Sequence, residues 1–320
     1  MLRFPHLPEK IFQKLNNKSL FKFRVVARSW QNLIDARNYP WLRIVNIPTI
    51  LENGNTYLHL AAETGQIEAF EIAFREEEDK NVRNRKKFGV TSFQIACMNG
   101  RFEIVQFLLK NSDLEFNING KDKCGNTGFI LACWQGSSYV VKILIENALA
   151  FNMDLNAKNF YGMTAFHHAC IHGNLLNIGI FMENAAALKI DLNTRDNYGS
   201  TCFHHACIYG RTYSVKILME NATALGINLN AKDLYGMTAF FKACQKGQTD
   251  VVKIFMVYAA TFGINLNTKD NNGWTGFHHV CTKFDQELAT IFIENATKLN
   301  LTAFHIACLK SHASDIPSQN

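Results

Sequence analysis

The sequence predicts an all-α fold: a solenoid of helix–turn–helix units with β-turn or hairpin connections, preceded by a small helical module. Two observations carry this. The first is a repeat. The ten residues 161–170, Tyr-Gly-Met-Thr-Ala-Phe-His-His-Ala-Cys, recur with small changes at 198–207, 235–244 and 272–281, and more weakly at 88–97, 124–133 and 53–62. Their central threonines are Thr56, Thr91, Thr127, Thr164, Thr201, Thr238 and Thr275, with Thr302 beyond, at intervals of 35, 36, 37, 37, 37, 37 and 27. A fixed period of this length marks stacked supersecondary units, each burying its apolar face on the next. The second observation is that residues 1–45 lie outside the period and differ from it in charge.

Within each unit the elements follow from residue type. Asp-x-x-Gly before the threonine is turn chemistry, with glycine free to take positive φ. The threonine caps a short apolar helix, as at Thr164, and Gly173 ends it. A second helix follows, with spaced apolar residues such as Val140, Val141, Ile143, Leu144 and Ile145. After Glu-Asn-Ala the full units carry extra residues, as in 146–156. The Ala-rich stretch 185–188 favours lengthening the second helix there by about one turn.

Composition narrows the function classes. The chain has 320 residues, 48% of them hydrophobic, which argues against disorder. No apolar run approaches the ~20 residues a membrane span needs. Arg3, Pro5, His6 and Pro8 do not read as a secretory signal. A soluble protein of the cytoplasm and/or nucleus, without a membrane partner, is expected. The net charge of +6 is uneven: residues 1–50 hold nine Lys/Arg against Glu9 and Asp35, leaving the remainder at −1. Such a basic module suits an acidic partner, protein or nucleic acid, or is a solvated helix surface.

Cysteine and histidine invite a metal reading. Cys97, Cys133, Cys170, Cys207, Cys244, Cys281 and Cys308 share one repeat position. Helices of neighbouring repeats pack ~8–10 Å apart, too far for a disulfide's ~7 Å between Cα atoms or for shared ligation at ~2.3 Å from a zinc ion. The row reads as core, with no cofactor and no metal. No phosphate loop, nucleophile elbow or His-Glu-x-x-His helix occurs, so no enzyme activity and no small-molecule substrate are expected.

The repeat resembles the ankyrin repeat, whose Thr-Pro-Leu-His-x-Ala motif is nearly spelled out at residues 56–62. Proline is absent from every copy, and Phe93, Phe129, Phe166, Phe203, Phe240, Phe277 and Phe304 usually replace leucine. The larger ring buries more apolar area. The resemblance implies that His59, His167, His204, His278 and His305 tie turn to turn by hydrogen bonds; it gives no role to His168, His205 or His279. It also implies that turn tips and the ends of the first helices line a concave side that holds a partner protein. Carried over by position, the candidates are Trp134, Phe160, Tyr161, His172, Tyr198, Tyr209, Tyr235 and Trp274. Tyr161, Tyr198 and Tyr235 share one repeat position, so they either meet a partner or stack on neighbouring turns. Trp134, Tyr209 and Trp274 have no repeated equivalent.

Residues 1–45 read as short helices over 9–15, 19–28 and 30–36. Ile11, Leu15, Leu20, Val26 and Trp30, followed by Tyr39-Pro40-Trp41, resemble an F-box, with Val26, Arg28 and Trp30 on its Val-Cys-Arg-x-Trp stretch. Leu7-Pro8 stands nearer to Ile11 than the family's opening Leu-Pro does. The resemblance implies that these five residues dock the adaptor subunit of a cullin-based ubiquitin ligase while the rest of the chain captures a target. The alternative is a helical cap on an ankyrin scaffold without a ubiquitin role. The organisation expected is a module at 1–45, repeats over 46–310 as about seven units and a shortened eighth, and a frayed tail at 311–320. The first helix of that eighth unit is expected over 302–308.

Overall fold

The computed structural model describes residues 55–77, 79–84, 88–111, 116–283 and 286–295. Fifteen helices and no strand occur among them. They form pairs: α1 (Tyr57–Thr64) with α2 (Ile67–Glu76), α3 (Ser92–Met98) with α4 (Phe102–Lys110), and α5 (Gly128–Gln135) with α6 (Ser138–Glu146). Then come α7 (Ala165–His172) with α8 (Leu175–Asn184), and α9 (Cys202–Ile208) with α10 (Thr212–Glu220) and the short α11 (Ala222–Leu225). The last pairs are α12 (Ala239–Lys246) with α13 (Thr249–Tyr258) and α14 (Gly276–Lys283) with α15 (Gln286–Glu294). The chain divides into two compact units, the first ending at Leu131 and the second starting at Ala132, within α5. Residues 1–45, the boundaries at 45 and 310, the 302–308 helix and the tail lie outside the described residues.

Each first helix begins where the threonine predicts. Thr56, Thr91, Thr164 and Thr201 have extended backbones and close capping boxes with the residue three positions on: His59, Gln94, His167 and His204. Glycine ends several of these helices in the left-handed region, Gly65 at φ 78° and Gly173 at φ 68°. The residue after the glycine then reaches back to the preceding repeat. Arg101 donates to the Glu63 carbonyl at 2.8 Å, Asn174 to Gly136 at 2.9 Å, Arg211 to Ile171 at 2.7 Å and Gln248 to Ile208 at 2.8 Å. Carbonyls left open at each helix end are thereby satisfied.

The phenylalanines are the core. Phe93 and Phe129 in the first unit, and Phe166, Phe203, Phe240 and Phe277 in the second, are all buried. In the second unit Phe203 and Phe240 meet Phe255 at 5.9 and 5.2 Å, and Phe240 and Phe277 both meet Phe292 at 6.3 Å. Each ring is thus shared between a first helix and a second helix, which couples neighbouring repeats. Cys97, Cys133, Cys170, Cys207 and Cys244 are buried beside them.

The extra residues after Glu-Asn-Ala do not extend the second helix as a continuous rod. They form a separate turn, closed by bonds such as Phe151 N–H to Asn147 C=O and Met153 N–H to Ala148 C=O, and only α11 is a helix there. The cause is the asparagine. Asn147 donates its side-chain amide to Ile143 C=O at 2.8 Å, the carbonyl its own N–H also uses; Asn221 does the same at Ile217. A side chain competing for the ladder ends regular helix. The turn then closes on a left-handed residue: Asn152, Lys189, Gly226 or Gly263.

Gly162 shows how closely the turns approach. Its φ is +75°, and a Cβ there would lie 2.6 Å from the backbone nitrogen of Asn197, whereas nothing lies within 4 Å of one at Gly226. Gly162→Ala should therefore cost more than the ~1 kcal/mol of left-handed strain that Gly226→Ala costs. Thermal unfolding followed by circular dichroism gives the comparison; equal losses would show that the neighbouring turn yields freely.

Candidate partner-binding face

The turns are built on one side-chain oxygen each. Asp196 Oδ1 accepts the N–H groups of Tyr198 at 2.8 Å and Ser200 at 2.9 Å. Asn159, Asp233 and Asp270 do the same for their own turns in the second unit, and Asp122 in the first. Held this way, the tips bond along the row. Asn197 N–H donates to Tyr161 C=O, Leu234 to Tyr198 and Asn271 to Tyr235, each at 3.0 Å; Lys123 donates to Phe88 at 2.8 Å in the first unit. The backbone is consumed in this ladder while the side chains face water. Tyr161, Tyr198 and Tyr235 are 52–61% exposed and Phe160 is 69% exposed, so the tyrosines do not pack away against neighbouring turns.

Behind the tips stands the first histidine row. Thr56, Thr164 and Thr201 each donate N–H to Nδ1 of His59, His167 and His204 at 3.1–3.2 Å. Nδ1 is therefore the acceptor, and the proton on Nε2 goes to the next turn: to Val90 C=O at 3.0 Å, Ser200 at 3.3 Å and Met237 at 3.1 Å. Burial lowers all three pKa values, to about 4 for His167 and His204. These histidines are neutral structural ties.

The second row, which the sequence left without a role, anchors the turns. His205 Nε2 lies 2.8 Å from Asp196 Oδ2, and Lys242 Nζ lies 2.8 Å from Asp233 Oδ2. Burial alone would raise the Asp196 carboxyl; hydrogen bonds from His205 and the Ser200 and Tyr198 N–H groups outweigh it and hold the group low. Where the turn residue is the neutral Asn159, the matching His168 has a buried Nε2 without a hydrogen bond, and burial lowers its pKa to about 4. The legible signal was the pairing itself: an acid nine residues before the second His or Lys.

The aromatic candidates lie over this row. Trp134 sits 6.1 Å from the His168 ring, Tyr209 stacks on His205 at 6.4 Å, and Trp274 lies 5.3 Å from His279. The Lys242 ammonium stands 5.4 Å from the Tyr235 ring. Trp134, Tyr209 and Trp274 are 40–49% exposed, and His172 is exposed with its pKa lowered by burial and then by Arg211. Over residues 154–173, 191–210, 228–247 and 265–281, Lys158, Arg195, Lys232, Lys246 and Lys269 are exposed against exposed Asp154 and Asp191, while Asp196, Asp233 and Asp270 are buried. The exposed charge of these segments is positive. Ile11, Leu15, Leu20, Val26 and Trp30 lie outside the described residues.

Sequence-family models match along the chain. A model of three ankyrin repeats matches residues 33–122 and 181–270, and a second ankyrin model matches 113–169. The chain belongs to the ankyrin-repeat family. An F-box domain model matches residues 6–42 of this ankyrin-repeat protein, taking in Leu7-Pro8. Among solved structures, the ankyrin repeat domain of Bcl-3, a unique member of the IkappaB protein family, has a TM-score of 0.58 at 22% identity, covering 71% of this chain and 94% of that one. The human ASB11 ankyrin repeat domain has a TM-score of 0.56 at 22% identity, covering 70% and 91%. At that identity the likeness establishes the fold alone. Comparison with curated proteins gives no match. Among the described residues no helix is long and apolar enough to cross a membrane, and no group of three His, Cys, Asp or Glu is placed to hold a metal ion.

Proposed function

We propose that this ankyrin-repeat protein is a substrate-recruiting subunit of an F-box ubiquitin ligase. Its N-terminal module docks the adaptor, and the turn tips and first-helix ends of the second unit hold the target. The observation that carries the reading is the union in one chain of an F-box match at 6–42 with repeats matched over 33–169 and 181–270. Both are interaction modules, and neither brings chemistry of its own. The exposed positive charge among the tip aromatics favours a target segment bearing carboxylates, with aromatic side chains as anchors. Residues 1–45, with their surplus of Lys/Arg, are separate from that surface in sequence.

Affinity purification from cell extract tests the adaptor half. The intact protein should recover adaptor and cullin; Trp30→Ala, or Leu20→Ala with Ile11→Ala, should lose both while circular dichroism of the repeats is unchanged. Recovery of target proteins without any ligase subunit from intact protein would leave an ankyrin scaffold instead. For the target half, Trp134→Ala, Tyr209→Ala and Trp274→Ala together should weaken target capture about tenfold or more, the scale of one or two interface hot spots. The melting temperature should change little. A large stability loss with unchanged capture would return these side chains to a packing role.

A further inference from the structure

We infer that the turn ladder of the second unit ends in an open edge at residues 266–274, and that this edge takes a polypeptide turn supplied by the target protein. The inference rests on the reading that the repeats hold a target, and it names how one end of them does so.

Three complete rungs show what the edge is built for. Asn156 donates its amide to Lys189 C=O at 3.0 Å and accepts the Asp191 N–H at 2.9 Å. Asn193 does the same with Gly226 and Asn228, both at 2.8 Å, and Asn230 with Gly263 at 2.9 Å and Asn265 at 3.0 Å. Two residues on, Lys158 donates to Arg195 C=O at 2.9 Å, Arg195 to Lys232 at 2.7 Å and Lys232 to Lys269 at 3.0 Å. With the tip bonds onto Tyr161, Tyr198 and Tyr235, each of these turns offers the next two acceptors and two donors that main-chain groups take up, and the Phe160 and Leu234 carbonyls also accept the side-chain amides of Asn197 and Asn271.

The fourth rung has the same groups, with no described residue bonded to them. Asn267, Lys269 and the Asn272 carbonyl occupy the equivalent positions, are exposed, and have no partner on that side among the described residues. Packing says the same independently. Leu155, Leu192 and Leu229 are buried, but their equivalent Leu266 is only half-buried. A Cβ at Gly162, Gly199 or Gly236 would lie 2.6–2.9 Å from a backbone nitrogen of the next turn; at Gly273 no described residue is within 4 Å. The sequence explains why: Thr302 follows Thr275 by 27 residues where the period is 37, and the missing stretch is the one that would supply the next turn.

Unpaired donors and acceptors in a row are a template for another chain. The occupant is fixed by the three filled rungs: an extended segment and turn presenting two N–H groups and two carbonyls at that spacing, with Trp274 beside it as an apolar anchor. Specificity then comes from the side chain set against Trp274, because the rungs themselves read backbone.

The molecule supplies its own probe. A fluorescein-labelled peptide copying residues 225–238, which contains one complete set of rung partners, should bind the full-length protein saturably in an anisotropy titration. Asn267→Ala should weaken it about thirtyfold, the worth of the two hydrogen bonds its amide would make at about 1 kcal/mol each, with the melting temperature unchanged. A peptide N-methylated at the position of Leu234 should lose binding, because the N–H aimed at Asn272 C=O is gone. Inserting a copy of residues 226–236 between Asn300 and Leu301 should fill the edge in cis and abolish peptide binding. A scrambled peptide binding equally well, indifference to Asn267→Ala, or binding that survives the insertion would each overturn the inference. Sedimentation showing self-association that the peptide competes away would overturn the assignment to a target and give the edge to a second copy of this chain. Adaptor purification is a separate measurement, so failure of the ligase reading and failure of this edge are distinguishable.

Discussion

Between pH 6.5 and 4 the repeats should lose several kcal/mol of stability and unfold, and a His167→Gln, His204→Gln variant should resist. The sign follows from the buried rings. Burial lowers His167, His168 and His204 from 6.5 to about 4, so within that window the unfolded chain binds protons that the folded chain refuses. Stability linked to these groups is complete above pH 6.5 and is lost as pH falls toward 4. Each pK unit is worth about 1.4 kcal/mol, so even two such rings rival the ~5–15 kcal/mol of a typical domain. The fold provides its own control. At Gln94 the same position uses Oε1 to accept the Thr91 N–H at 2.8 Å and Nε2 to donate to Asn126 C=O at 3.1 Å, making the histidine's bonds without a titrating group. Urea titrations at pH 7.5, 6, 5 and 4.5, followed by far-ultraviolet circular dichroism, give the curve. An acid midpoint unmoved by the glutamine pair would place the acid sensitivity elsewhere.

Asp196→Ala should destabilise by about 3–5 kcal/mol, because it removes a buried carboxylate that accepts three hydrogen bonds, each worth about 1.5–3 kcal/mol to a charged acceptor. The carboxylate does two jobs: Oδ2 meets His205, and Oδ1 caps the N–H groups of Tyr198 and Ser200. Its loss leaves two donors and a buried imidazole unsatisfied and loosens the tip that accepts from Leu234. His205→Lys, in contrast, should be tolerated within about 1 kcal/mol, because the next repeat already pairs Lys242 with Asp233 at 2.8 Å. The pair of variants separates the bond to the carboxylate from the shape of the imidazole. If His205→Lys costs as much as Asp196→Ala, the imidazole's packing against Tyr209 matters more than its bond to the carboxylate.

Periodicity made the fold legible, because repetition turns a weak local signal into seven coincident ones. The threonine caps, the glycine stops, the phenylalanine core and the His59-type ties all lie where residue type and spacing place them. The added turn was misread because Ala185 to Ala187 speak for helix while the side-chain amide of Asn184, bonded to Ile180 C=O at 2.8 Å, speaks against it; propensity is the weaker voice once a carbonyl has two suitors. The second histidine row was missed because its partner is nine residues upstream in a turn, a distance that no helical period reports. Exposure of Trp134, Tyr209 and Trp274 could be guessed from their lack of repeated equivalents. The pairing of Trp134 with His168 depends on how successive repeats stack, which a single repeat does not encode, whereas Tyr209 meets His205 and Trp274 meets His279 within one repeat.

The cysteine row carries a further consequence. Burial raises the thiols of Cys97 and Cys244, and burial with neighbouring thiols raises Cys170 and Cys207. Little thiolate exists at neutral pH, and thiolate is the species that reacts. Alkylation of these four thus waits for their repeats to open, while Cys124, only partly buried, marks the unprotected rate. Since α3, α7, α9 and α12 each hold one such thiol, timed alkylation read by peptide mass would rank the opening free energies of individual repeats in the intact protein. The chain thus carries a chemical clock on each of four helices, and comparing them with and without a bound partner would show which repeats the partner holds shut.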